Sequence, residues 1–210
     1  VDRAVDMGLQ LNPDGNVANP EGVTPGVGNV KDGLRQSSAV AYLDRARPRK
    51  NLTIIADALV HSLKITGRRV EEVVYESEGN LCTAATDQVV LTAGVYHSPQ
   101  ILQLSGYGSA RDLERIGIKP MIDVPGVGAN YQDHANVTMT FEGAEDFNPD
   151  WLMPGFRLNY KSPLATAINA DFHIYMRAPV VIEGLTPMMA VVANLIENRG
   201  RGKVSLARTN

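Results

Sequence analysis

Residues Thr92–Gly108 read TAGVYHSPQILQLSGYG, directly after the apolar run Val89-Val90-Leu91. The stretch predicts a strand that ends in Thr92-Ala93-Gly94 and passes into a helix. Ser98 is a good helix cap, and Pro99 suits the first helical position, where its missing N–H is not needed. Ile101, Leu102 and Leu104 give the helix an apolar side, and Gly106 fits the left-handed closing position. The absence of bulk at Ala93-Gly94 lets another group approach the backbone closely. Main-chain N–H groups near a helix start also favour anions. The same spacing is equally consistent with close packing of strand on helix and nothing more.

Working outward, the segments upstream predict mostly strand. Asn51–Ala56 (NLTIIA), Leu59–Ile65 (LVHSLKI) and Val70–Tyr75 are apolar or β-branched, with a turn at Thr66-Gly67-Arg68. Together they form an expected antiparallel meander. Gly79-Asn80 is a further turn, and Asp87–Thr92 (DQVVLT) a further strand. Ser37-Ser38 cap an expected helix that Pro48 ends. Residues 11–33 are rich in Gly, Pro and Asn and read as one long irregular loop. Downstream, Ser109 with Asp112 resembles a capping box for a short helix that stops at Gly117. From about residue 135 the pattern changes. Ala135–Phe141, Ala170–Met176, Met188–Ile196 and Lys203–Ala207 read as strands, and 142–168 reads as loop. The expected fold class is α+β: a β-meander plus a βα unit over residues 1–134, then part of an antiparallel-sheet domain over 135–210.

The 210-residue chain carries a net charge of −3, with 44% hydrophobic and 20% charged residues. This balance gives no broad basic face for nucleic acid. No run approaches the roughly 18 apolar residues of a membrane span. The first residues lack a signal-peptide layout, and the expected compartment is the cytoplasm. The single cysteine, Cys82, excludes an internal disulfide and reads as an ordinary packed thiol. Asn51-Leu52-Thr53 and Asn136-Val137-Thr138 fit the glycosylation pattern by chance, the first being a strand start.

Three glycine pairs, Gly26-Val27-Gly28, Gly106-Tyr107-Gly108 and Gly126-Val127-Gly128, lack the third small residue of a dinucleotide loop and read as turns. His97 precedes the expected cap at the positive end of a helix and reads either as a solvent-facing loop residue or as a hydrogen-bonding group. His61 and His173 sit in strand patterns. His134 follows Asp133 directly, so the two side chains point apart on extended backbone. No spacing among the four histidines, Cys82 and the carboxylates fits a metal site. There is no nucleophile elbow and no positioned acid–base pair.

Taken together, the motifs resemble those of the glucose–methanol–choline (GMC) oxidoreductases. Gly94-x-x-x-Ser98-Pro99-x-x-Leu102-x-x-Ser105-Gly106-x-Gly108 looks like that family's second signature. Asp32-Gly33-x-Arg35-x-Ser37-Ser38-Ala39-x-Ala41-Tyr42-Leu43 and Arg49-x-Asn51-Leu52-Thr53-Ile54 are similar to the segments before and at the start of its meander. Gly117-Ile118-x-Pro120 and Val124-Pro125-Gly126-Val127-Gly128-x-Asn130-x-Gln132-Asp133-His134 resemble the run that closes the signature region. Ala170–Ile174 and Arg199-Gly200-x-Gly202-x-Val204-x-Leu206 resemble two substrate-domain segments.

The resemblance implies FAD as the cofactor and a small-molecule alcohol as the substrate. It implies an FAD-binding domain over 1–134 and a substrate domain over 135–210, each in part. Ala93 and Gly94 would lie by the pyrophosphate, and Val60 would contact the adenine through its main chain. Asn130–His134 would be a hinge into the substrate domain. Trp151, Met153, Phe156 and Tyr160 would border the substrate entrance. The family's first glycine-rich loop and its catalytic His have no counterpart in this sequence, so the chain is expected to be the middle of a longer enzyme, inactive alone. Two alternatives stand beside this reading: a relative acting as a cyanohydrin lyase, and a cofactor-free β-rich binding module.

Overall fold

The computed structural model describes residues 2–142, 155–166, 170–180 and 188–208. Along the chain the elements are α1 (Asp2–Asp6), β1 (Gly22–Pro25), a hairpin of β2 (Val30–Lys31) and β3 (Leu34–Arg35), and a π-helical turn Ala39–Leu43 running into α2 (Asp44–Ala46). Next come β4 (Ala58–Thr66), β5 (Arg69–Ser77), β6 (Asn80–Ala85), α3 (Gly94–Leu104), β7 (Tyr107–Gly108) and α4 (Ala110–Arg115). The remainder is β8 (Ile122–Asp123), β9 (Ala129–Tyr131), β10 (Ala135–Glu142), β11 (Phe156–Tyr160), β12 (Phe172–Val180), β13 (Met188–Leu195) and β14 (Gly202–Lys203). Contacts gather these into two compact units, Val1–Arg47 with Asp133–Arg199, and Pro48–Gln132 with Gly200–Asn210. The change of character near residue 135 falls close to one of these boundaries. The first 47 residues, however, fold with the later part of the chain.

Their reason for doing so is strand pairing. In the first unit β1 pairs antiparallel with β11, and the five-stranded sheet runs β1-β11-β12-β13-β10. Both β1 and β11 lie in stretches that read as loop in the sequence. Each is short and flanked by Gly or Pro, so the partner makes the strand where propensity does not. The registers sort the side chains by face. Thr24, Arg157, Asn159, His173, Tyr175 and Asn194 share one face, and Val23, Leu158, Ile174, Ala193 and Val137 share the other. Val23 and Asn159 are fully buried. Asn159 donates from Nδ2 to the Pro20 carbonyl at 2.7 Å, which holds the early loop against β11. Asp171, also buried, accepts from the Ser162 N–H at 2.7 Å and its hydroxyl at 2.6 Å. Burial pushes the Asp171 carboxyl up, but these hydrogen bonds outweigh it and the net shift is downward. The His173 imidazole is pushed down by burial and by the nearby Arg157 and His134.

The second unit holds the meander β4-β5-β6, with α3 packed on β4. The turn between β4 and β5 uses Gly67 at φ +62°. Two expectations about this unit are corrected. Asn51–Ala56 and Asp87–Thr92 have strand composition, yet no ladder partner meets them among the described residues, and they form no strand. Ile54 is 43% and Val90 85% exposed. Conversely β6, built of small and polar residues, is a strand because the Glu78-Gly79 turn folds it onto β5 over its whole length. Similarly, of Lys203–Ala207 only Lys203 joins a strand, in the short β14 paired with β9. The core of this unit centres on Leu63, Ile101 and Leu113.

Candidate functional site

The corner at Ala93-Gly94 is the start of α3. The helix begins at Gly94 with Ala93 as its cap, not at Ser98-Pro99. Gly94 sits at φ +82°, a backbone state that suits glycine and turns the extended segment sharply into the helix. Pro99 therefore lies inside the helix, where its missing N–H leaves the Val95 carbonyl without its usual helical partner. His97 is an exposed helical residue, not a loop residue before a cap. No side chain caps α3, so its first main-chain N–H groups are not taken up by a capping side chain. A Cβ at Gly94 would meet nothing within 4 Å.

Between α3 and β4 lies a cavity of about 580 Å³. Its wall includes Val60 and Leu63 from β4, Leu91 and Ala93 from the approach to the helix, and His97 and Ile101 from α3. Two of the three residues singled out in the sequence, Val60 and Ala93, thus meet at one cavity. Gly94 follows Ala93 directly but is not part of the wall.

The backbone of β4 turns its free edge toward α3. β4 is paired only with β5 among the described residues, and the Leu63 N–H leaves that ladder to donate to Ser105 Oγ at 2.8 Å. Val60 and Leu63 are an odd number of residues apart, so on an unbroken strand their N–H groups would point opposite ways. The register contains a bulge: Val60 pairs with Tyr75 and Ser62 with Val74, leaving His61 as the extra residue. The bulge brings Val60 into phase with Leu63, matching their partners Tyr75 and Val73 on β5. The N–H and C=O of Val60 therefore face the same free edge. His61, which reads in sequence as an ordinary sheet residue, points Nε2 at Glu76 Oε2 across 3.3 Å. A bulge is visible only by counting across two paired strands, and no pattern within Leu59–Ile65 announces it.

On another side of α3 a second cavity of about 590 Å³ is lined by Ser98, Pro99, Leu102, Gly128, Asn130 and other residues, and Leu91 borders both. Close by, the Tyr96 and Tyr131 hydroxyls lie 2.7 Å apart with ring centroids at 5.7 Å. Asn130 adopts φ +60°, which re-aims the chain here. The far end of α3 is bolted down. Gln103, 5% exposed, donates from Nε2 to the Val204 carbonyl at 3.0 Å and accepts at Oε1 from the Leu206 N–H at 3.0 Å. Asp112 on α4 accepts from Lys203 Nζ, and that bond together with Ser109 holds its carboxyl below the usual range. Trp151 and Met153, expected near a substrate entrance, lie outside the described residues, while Phe156 and Tyr160 belong to β11. Among the described residues no group of three or more His, Cys, Asp or Glu could hold a metal ion. No helix among them is long and apolar enough to cross a membrane.

Comparison with known proteins agrees in sequence and in fold. A family model described as GMC oxidoreductase matches residues 2–136. An oxygen-dependent choline dehydrogenase of Staphylococcus aureus (strain JH9) is 40% identical over 136 residues, covering 65% of this chain and 24% of that protein. Pyridoxine 4-oxidase from Mesorbium loti superposes on 100% of this chain and 43% of its own, with a TM-score of 0.87 and 25% identity. A formate oxidase gives a TM-score of 0.82 at 20% identity, over 99% of this chain and 46% of its own. The chain spans about a quarter of the length of the curated relatives it matches.

Proposed function

Because this chain belongs to the GMC oxidoreductase family, whose cofactor is FAD, we propose that it is the middle portion of an FAD-dependent oxidoreductase acting on an alcohol. The cavity between β4 and α3 takes the adenine side of the cofactor. The observation that carries this reading is the meeting of Val60 and Ala93 at one cavity, with the Val60 main chain turned to the free edge of β4.

The fit can be argued from this chain's own groups. A volume of about 580 Å³ lies in the roughly 300–1,000 Å³ range of small-molecule sites. A purine edge carries a donor and an acceptor side by side, which the N–H and C=O of Val60 can meet without a special side chain. Leu63, Leu91 and Ile101 supply apolar surface for the ring faces. The uncapped start of α3 at Ala93-Gly94 offers N–H groups to a pyrophosphate, and the open space at Gly94 lets it approach.

A flavin held there would supply the redox chemistry, as acceptor for the hydride of the carbinol carbon. The residues of this chain bind and orient the cofactor; we assign none of them the catalytic proton transfer. The cofactor role falls to the unit built on Pro48–Gln132. The substrate role falls to the five-stranded sheet of the other unit, with Phe156 and Tyr160 toward the alcohol.

The test is flavin content and turnover. The complete protein should purify with stoichiometric flavin absorbance that bleaches on anaerobic addition of a substrate alcohol. The 210-residue chain alone should show no turnover and little flavin. A complete protein without flavin, or an isolated chain that turns over, contradicts the proposal.

A further inference from the structure

We infer that Ser105 is a positioning residue of this cavity, whose hydroxyl fixes the edge of β4 against α3 and so sets the place of Val60 relative to Ala93. The inference rests on the reading of the cavity as the adenine site. Ser105 Oγ donates to the Ile101 carbonyl at 2.6 Å and accepts from the Leu63 N–H at 2.8 Å. Both partners are nearly buried and both line the cavity. No other hydrogen bond among the described residues joins β4 to α3 or its cap.

The geometry gives this one hydroxyl its leverage. Leu63 and Val60 lie in phase on the same free edge, so a bond that holds the Leu63 N–H also holds the line along which Val60 presents its own N–H and C=O. On the helix side Ile101 sits two turns from the corner at Ala93-Gly94, within the same helix. The Ser105 hydroxyl therefore connects β4 to α3 through Leu63 and Ile101, two residues of the cavity wall, while apolar contacts, which tolerate sliding, connect them elsewhere. Hydrogen-bond recognition weakens once groups drift by about 0.5 Å. Without the hydroxyl, β4 keeps its ladder to β5 but loses its fixed distance from α3.

The experiment uses the complete protein stripped of flavin, titrated with FAD and separately with ADP. Ser105→Ala is expected to weaken both by about tenfold, the value of one buried hydrogen bond. ADP should follow FAD because the effect lies on the adenine side. Ser105→Thr keeps a hydroxyl and should return both affinities to within about threefold of the parent. Ser109→Ala removes the cap of α4, away from this cavity, and serves as the stability control: it should lower Tm without moving either affinity. The inference is overturned if Ser105→Ala leaves both affinities unchanged, if Thr fails to restore them, or if Ser105→Ala and Ser109→Ala weaken binding alike in proportion to Tm. Val60→Pro removes an edge donor and no ladder bond. If it leaves ADP affinity unchanged, the adenine reading itself fails, whatever Ser105 does.

Discussion

The two ends of α3 are built on opposite principles. At its C-terminal end the side chains of Gln103 and Ser105 both have partners. Gln103 serves the main chain around Val204–Leu206, Ser105 serves Leu63 and Ile101, and Gly106 closes the helix at φ +87° while its carbonyl accepts from the Met121 N–H at 2.8 Å. At its N-terminal end no side chain caps the helix, Gly94 opens on empty space, and Val95 and Tyr96 are exposed. A short helix held at one end and open at the other is a fixed arm that presents main-chain donors. Under the proposed function, the difference separates where stability and where binding reside. Apart from Ser105, whose hydroxyl also sets the place of Val60, changes at the bolted end should act on folding, and changes at the open end on the proposed ligand.

The sharpest way to break that division is Gly128→Ala. Gly128 has φ +79°, and a Cβ there would lie 2.1 Å from the Val204 carbonyl oxygen, which is backbone and cannot step aside cheaply. Strain and overpacking together predict a loss of about 3–5 kcal/mol in a urea melt. A loss under about 1 kcal/mol would mean the strand after residue 200 is not fastened here. Gln103→Ala comes next. It leaves the part-buried Val204 carbonyl and Leu206 N–H without this partner and empties a buried position, and a loss of about 2–3 kcal/mol is expected by the same melt.

At the open end, Gly94→Ala meets no neighbour but must adopt a left-handed conformation. The expected stability loss is only about 1 kcal/mol, and FAD affinity should fall by more than that stability change accounts for. Equal loss of the two would place Gly94 on the structural side of the comparison. The smallest effect is a pH dependence. The Asp112 carboxyl is held below its usual value of 3.8, first by Lys203 and then by Ser109. A depressed carboxyl favours folding above its unfolded pKa, and that contribution is lost as pH falls through the folded value. Asp112→Asn should therefore lose this small contribution near neutrality and flatten the profile below pH 3.8, so that variant and parent converge in acid, read from melts from the acid range to neutrality.

Much of the meander was legible in the sequence, because Leu59–Ile65 and Val70–Tyr75 carry strand composition and a glycine turn joins them. NLTIIA and DQVVLT show the limit. Their composition is that of strands, but a ladder needs a partner, and pairing is not written within a segment. β1 and β11 show the converse, since each exists through the other. Val60 and Ala93, which line one cavity, were singled out in the sequence through motif resemblance. The start of α3 was misplaced because Ser98-Pro99 has the chemistry of a cap, while the φ of Gly94 fixed the turn earlier. The His61 bulge and the two hydrogen bonds of the Ser105 hydroxyl rest on register and distance, which one-dimensional patterns do not carry.

The most direct measurement is a crystal structure of the complete protein with FAD bound, reading the distances from the adenine edge to the Val60 nitrogen and oxygen. The account predicts both within hydrogen-bond range, roughly 2.7–3.2 Å, with the pyrophosphate beside Ala93-Gly94. An adenine seated elsewhere, with the space between β4 and α3 filled by protein, would contradict it.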